Sequence, residues 1–148
     1  IIMGSLNKKI VFIDMDGVLV NYEKYYKSFN DLNFEDMEPI EGSIDAFHEL
    51  NKNHEVYIVS APPLKQDYAH NQKVAWIRKM LGDEFEKKII FTRNKGLLRG
   101  DYLIDDNTNK HGIEKFSRIK GQTLIHFNPE RSALEEWVRV IMFINDGK

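Results

Sequence analysis

Asp14-Met15-Asp16-Gly17 closes a short apolar run and sets two carboxylates two residues apart. If the chain is extended there, the i, i+2 spacing sends both side chains the same way. One carboxylate can then attack while the other handles the proton. Three more polar clusters follow apolar runs: Ser60-Ala61-Pro62-Pro63, Thr92-Arg93-Asn94-Lys95-Gly96 and Asp105-Asp106-Asn107. The combined set is carboxylates, a hydroxyl, an ammonium and two further carboxylates. Clustered carboxylates repel one another and become tolerable when a cation sits among them. Mg²⁺ suits such oxygen ligands, completed by waters and phosphate oxygens. It can screen a phosphate dianion so that a carboxylate nucleophile approaches phosphorus. A serine hydroxyl, backbone N–H groups and a lysine can hold the peripheral phosphate oxygens.

Convergence of these clusters requires a scaffold that ends its strands on one rim. The runs 9–14, 54–60, 88–92, 102–105 and 122–127 are continuously apolar rather than alternating. That pattern fits strands covered on both faces, as in a parallel sheet. Helical patterns lie between them. Ser43 can cap a helix carrying Ile44, Phe47, His48 and Leu50. The stretch 71–81 puts Val74, Ile77 and Leu81 on one face, with Gly82 as a stop. Residues 113–119 suit a short helix, and 130–144 a longer one opened after Pro129. Strand–helix alternation predicts a three-layer α/β/α sandwich with right-handed crossovers, in which ligands bind beyond the C-terminal strand ends. Residues 6–148 read as one domain. The tyrosine-rich, acidic stretch 20–41 reads as a small helical cap inserted after the first strand. Residues 1–5 read as an appended or ragged start.

Asp14-Met15-Asp16-Gly17-Val18-Leu19 after an apolar strand resembles the first motif of the haloacid dehalogenase-like (HAD) phosphohydrolases. Ser60, Lys95 and the Asp105-Asp106 pair fall in the order of that superfamily's other three motifs. The resemblance narrows at Ser60-Ala61-Pro62 followed by Lys73-Val74-Ala75-Trp76, at Phe91-Thr92-Arg93-Asn94-Lys95 and at Leu103-Ile104-Asp105-Asp106-Asn107. These segments look like the 5′(3′)-deoxyribonucleotidase family. The resemblance implies that Asp14 is the nucleophile that forms an aspartyl-phosphate. It implies that Asp16 protonates the leaving alkoxide and then activates water. Mg²⁺ would be bound by Asp14, the backbone carbonyl of Asp16 and the side chain of Asp105. Phosphate would be bound by Ser60, the backbone around Ala61, and Lys95. Asp106 would act through a water or orient Lys95. The family's cap is usually a larger helical bundle that supplies aromatic residues around the base. Here Tyr22, Tyr25, Tyr26 and Phe29 are the stacking candidates.

Blander readings are weaker for most of these residues. An EF-hand loop begun at Asp14 would place Val18 and Tyr25 where ligands are needed. The chain has no G-x-x-x-x-G-K-[ST] loop to pair with a Walker-B aspartate. Serine at a strand end is commonly a turn cap, Asp106 could simply shape its loop, and Arg93 or Arg99 could stand in for Lys95. Trp76 and Trp137 lie on apolar helix faces and read as core. The five histidines show no metal-binding spacing, and Arg99-Gly100-Asp101 matches an adhesion tripeptide by letters only.

Composition narrows the classes further. With 148 residues and no cysteine, the chain can build one core without disulfides, and thiol catalysis is excluded. Net charge is −2, which argues against a general electrostatic grip on duplex nucleic acid. No apolar run approaches the ~18–20 residues that span a bilayer. The expectation is therefore a cytoplasmic, Mg²⁺-dependent phosphomonoesterase acting on nucleoside monophosphates. Its partner is a small phosphate ester, with nucleic acid only as a 3′-phosphate end and a homodimer left open. The alternatives are a phosphatase for another small ester and a non-catalytic nucleotide-binding module.

Overall fold

Five apolar runs become five strands of one all-parallel sheet. They are β1 (Ile10–Asp14), β2 (Glu55–Ser60), β3 (Ile89–Phe91), β4 (Tyr102–Asp105) and β5 (Thr123–His126), in the order β3-β2-β1-β4-β5. The computed structural model describes residues 7–22 and 33–146. Among the described residues, four α-helices flank the sheet: α1 (Ser43–Asn53), α2 (Ala69–Met80), α3 (Ile113–Phe116) and α4 (Ala133–Asp146).

Side chains alternate across β1, so both faces need cover. Val11 and Ile13 enter the larger core with Phe47 and Leu50 of α1, Trp76 and Ile77 of α2, and Trp137, Val140 and Ile144 of α4. Phe12 enters a smaller cluster with Val59, Leu103, Ile113 and Phe116. The second helical layer is thin. The helix expected over 113–119 is the single turn α3, packed beside a 3₁₀ turn at Lys95–Leu97.

Helix starts differ locally from the sequence reading. Ser43 is not the cap of α1. Gly42 takes that place at φ +80°, and the Ser43 hydroxyl donates to the Leu19 carbonyl at 3.0 Å. The last helix starts at Ala133 rather than 130, because Asn128 accepts the Glu130 amide in a turn and Ser132 accepts the Glu135 amide at helix-capping spacing.

Chain direction along the sheet reverses between β1 and β4. The chain runs outward from β1 through β2 to β3, then returns to β4 on the other side. Ligands gather at such a switch point. Register brings the polar strand ends level: Asp14 lies opposite Val59, Ser60 opposite Phe91, and Asp105 opposite His126.

The insertion leaves and re-enters through a zipped stem. The Asn21 amide donates to the Glu38 carbonyl at 2.9 Å, and the Ile40 amide to the Leu19 carbonyl at 2.8 Å. Its described part holds one 3₁₀ turn, Phe34–Asp36, docked on α2. There the Phe34 amide donates to Gln72 Oε1 (3.1 Å), and Trp76 Nε1 donates to the Met37 carbonyl (2.8 Å). Tyr25, Tyr26 and Phe29 lie outside the described residues.

Candidate active site

Strand β1 ends in a tight turn that fixes the first two carboxylates. The Met15 amide donates to the Val59 carbonyl, while the Leu19 and Val20 amides both return to the Met15 carbonyl. Gly17 holds φ +85° in this turn, a conformation that favours glycine. A methyl group at Gly17 would lie 2.3 Å from Asp106 Oδ2, so the first turn and the fourth polar cluster touch directly.

The four clusters do converge. Lys95 Nζ donates to Asp14 Oδ1 at 2.8 Å and to Asp105 Oδ2 at 2.7 Å. All three groups are buried. The backbone carries the lysine there: the Lys95 amide donates to the His111 carbonyl at 2.7 Å, and Gly96 abuts Gly112. Asp105 Oδ1 accepts the Asn107 amide at 2.9 Å.

Carboxylate oxygens of Asp14, Asp105 and Asp106 lie within 4.8 Å of one another. Burial pushes the Asp14 carboxyl well above its ordinary value. Asp105 pushes the same way, and Lys95 only partly offsets them. Burial likewise raises Asp106, to about 6. For Lys95, burial favours the neutral amine, but Asp14 and Asp105 overcome it and hold the ammonium above its ordinary range. Within the trio, the single ammonium of Lys95 pairs with two of three carboxylates, which leaves the trio itself short of positive charge. A hard divalent cation fits that deficit and this all-oxygen donor set.

Asp16 stands apart from the trio. Its Oδ2 accepts from Lys73 Nζ at 2.7 Å, and its Oδ1 is buried with no hydrogen-bond partner among the described residues. The same Lys73 Nζ donates to Ser60 Oγ at 2.7 Å. Asp14, Asp16, Ala61, Lys95 and Asp106 line one cavity of about 800 Å³, together with Tyr22, Arg93, Lys110 and His111. That space exceeds what a phosphate group needs and suits a small organic ester. Tyr22 stacks on Phe34 at 6.4 Å between centroids and faces the cavity.

One site residue escapes the sequence reading. Lys73 was noticed only as part of the Lys-Val-Ala-Trp run, yet it is fully buried beside Asp16 and Ser60. A signal was present: Ala69, Lys73, Trp76 and Ile77 form one helical stripe, and a lysine inside an apolar stripe demands a buried partner. For Asp106 the sequence suggests action through a water or on Lys95; the Lys95 ammonium itself pairs with Asp14 and Asp105. Asp106 joins the carboxylate trio.

Comparison with known proteins follows the same line. Residues 21–144 match the family model described as 5′ nucleotidase, deoxy (pyrimidine), cytosolic type C protein. A Vibrio phage KVP40 protein, described provisionally as a 5′(3′)-deoxyribonucleotidase, is 32% identical over 93% of this chain and 85% of its own length. The human cytosolic-type 5′(3′)-deoxyribonucleotidase is 39% identical over 55% of this chain and 42% of its own. The human mitochondrial one is 30% identical over 78% and 54%. The chain thus spans most of the phage relative and about half of the human ones. No helix among the described residues is long and apolar enough to cross a membrane.

Proposed function

The chain belongs to the 5′ nucleotidase, deoxy (pyrimidine), cytosolic type C family, and from that premise we propose a Mg²⁺-dependent phosphomonoesterase that dephosphorylates nucleoside monophosphates, deoxyribonucleotides foremost, through Asp14. The observation that carries this reading is the buried Lys95 bridge between Asp14 and Asp105 on the floor of a cavity lined by both carboxylates and basic side chains.

Chemistry on this rim runs in two displacements. An Asp14 carboxylate oxygen attacks phosphorus, and the ester P–O bond breaks. Asp16, through its unpartnered oxygen, gives its proton to the departing alkoxide. Asp16, now ionised, takes a proton from a water molecule, whose oxygen attacks phosphorus. The Asp14–phosphate bond breaks, inorganic phosphate leaves, and both aspartates return to their starting forms. Lys95 balances charge on Asp14 throughout, and with the Ser60 hydroxyl and the backbone at Ala61 it holds the phosphate oxygens. Mg²⁺ held by Asp14, Asp105 and Asp106, with the Asp16 carbonyl, would neutralise phosphate charge and favour the ionised Asp14 carboxylate. Tyr22 is the described aromatic placed to meet the base or sugar.

A cytoplasmic setting is part of the proposal, supported by the cysteine-free composition and the cytosolic-type relative. The test is a substrate panel in Mg²⁺: deoxy- and ribonucleoside monophosphates, sugar phosphates and 3′-phosphorylated oligonucleotides. The expected kcat/KM is highest for a deoxynucleoside monophosphate. A sugar phosphate or an oligonucleotide end at the top would overturn the substrate assignment. Nucleotide binding with no phosphate release from any substrate would overturn catalysis itself.

A further inference from the structure

Two buried lysines serve this rim, and the chemistry above uses only Lys95. Lys73 rises from α2 with no exposed surface. Its ammonium reaches Asp16 Oδ2 and Ser60 Oγ, each at 2.7 Å, and lies 4.7 Å from the centre of the Phe34 ring. Burying an ammonium is costly unless it is paired and hydrogen-bonded. A methionine or leucine here would extend the apolar stripe of α2 without that cost. Packing therefore does not account for the lysine, but what it holds does.

Lysine only donates, so Ser60 Oγ must accept from it. The Ser60 hydroxyl hydrogen is then free to point elsewhere, toward a phosphate oxygen. On Asp16, Oδ2 is taken by the ammonium, and Oδ1 is left as the oxygen available to carry a proton. One ammonium thus sets the orientation of two groups from different strand ends. Phe34, docked under Tyr22 and held by Gln72, covers that ammonium from the insertion.

We propose that Lys73 is a positioning residue of the phosphoryl-transfer site: it fixes the Asp16 carboxylate for proton transfer and the Ser60 hydroxyl for phosphate binding, and Phe34 ties it to the insertion. The proposal rests on the phosphomonoesterase reading above. Displacement of such groups by about 1 Å is enough to cost ~10²-fold in rate.

The experiment compares two leaving groups. A nucleoside alkoxide needs the Asp16 proton to depart, whereas p-nitrophenolate leaves without one. Wild type, Lys73→Met, Asp16→Asn and the double variant are assayed for kcat/KM on a deoxynucleoside 5′-monophosphate and on p-nitrophenyl phosphate in Mg²⁺. Lys73→Met is expected to lose about 10²-fold on the nucleotide and at least tenfold less on the nitrophenyl ester. In the Asp16→Asn background the same substitution should leave the ratio between substrates unchanged, because both act on one step. Thermal melting accompanies each variant. If Lys73→Met does not fold, Lys73→Gln, which keeps an N–H donor, is read in the same assay and should shift the ratio in the same direction. Equal losses on both substrates by a folded variant would overturn the proposal, as would a ratio change of the same size in both backgrounds. Wild type inert on both esters would instead overturn the phosphomonoesterase reading.

Discussion

Two assemblies of a buried carboxylate and its cations sit on this sheet, and they are built to opposite rules. Behind β5, Glu136 is 1% exposed and faces Arg139 at 2.7 Å, Arg131 at 3.9 Å and the Asn128 amide at 2.8 Å. Positive partners outnumber the carboxylate. The Arg139 hydrogen bond leads in holding Glu136 below its ordinary range. On the rim, Asp14 and Asp105 share the Lys95 ammonium with Asp106 close beside them, and Asp14 is pushed well above its ordinary range. The first assembly is complete and pins the start of α4. The second is electrically unfinished, and an unfinished buried cluster marks a place where something with positive charge, or a reaction, belongs. The difference lies in the balance of partners and in solvent: the Lys95 side chain is 3% exposed, whereas those of Arg139 and Arg131 are 43% and 63% exposed.

The sharpest way to break this contrast is Asp14→Asn. Turnover of a deoxynucleoside monophosphate should fall by at least about 10³-fold, while the melting temperature holds or rises, because one of the mutually repelling carboxylates is gone. A melting temperature that drops would mean the rim is not overcharged. Lys95→Met should act in the other direction on stability. It leaves Asp14 and Asp105 without their cation, so urea unfolding should show a loss of about 3–5 kcal/mol, with phosphate release down roughly 10²-fold. Added Mg²⁺ should restore part of the stability. Gly17→Ala is milder: its new methyl group must displace Asp106 from φ +85° backbone. Phosphate release measured against Mg²⁺ concentration should show about a tenfold loss with a raised half-saturation. Smallest is Glu136→Gln, which should leave kcat unchanged and cost about 1–2 kcal/mol of unfolding free energy at neutral pH. Here the sign follows from the depressed value. The contribution of Glu136 is fully present above about 4.5 and fades as pH falls through its lower folded-state value. Denaturation curves of wild type and variant should therefore converge on acidification.

Much of the scaffold was legible because buried parallel strands write a simple pattern. Continuous runs such as Val11-Phe12-Ile13 need cover on both faces, and five of them interleaved with helical stripes leave few architectures. The rim could be read because its residues follow those runs: the sheet brings Asp14 and Asp105 together, and the loop after β3, tied to the His111 carbonyl, delivers Lys95. Lys73 was not legible in the same way. It sits mid-helix, where lysine is normally solvated, and only its phase with Trp76 and Ile77 betrays the burial. The outline of the stripe was read through Val74, which is half-buried, whereas the face that packs is turned toward Lys73. Helix starts were displaced for a similar reason. Ser43 spends its hydroxyl on Leu19 across the fold rather than on its own helix, and a long-range partner of that kind leaves no local trace.

Strand β1 carries the proposed nucleophile, lies in the middle of the sheet and pairs over its whole length, Ile10 to Asp14, with β2. Deuterium would reach its amides only through the rarest openings of the molecule, long after the helix ends and the thin layer around α3 had exchanged. Fraying at the periphery therefore leaves Asp14 in register. Heat dislodges this nucleophile only by melting the sheet itself.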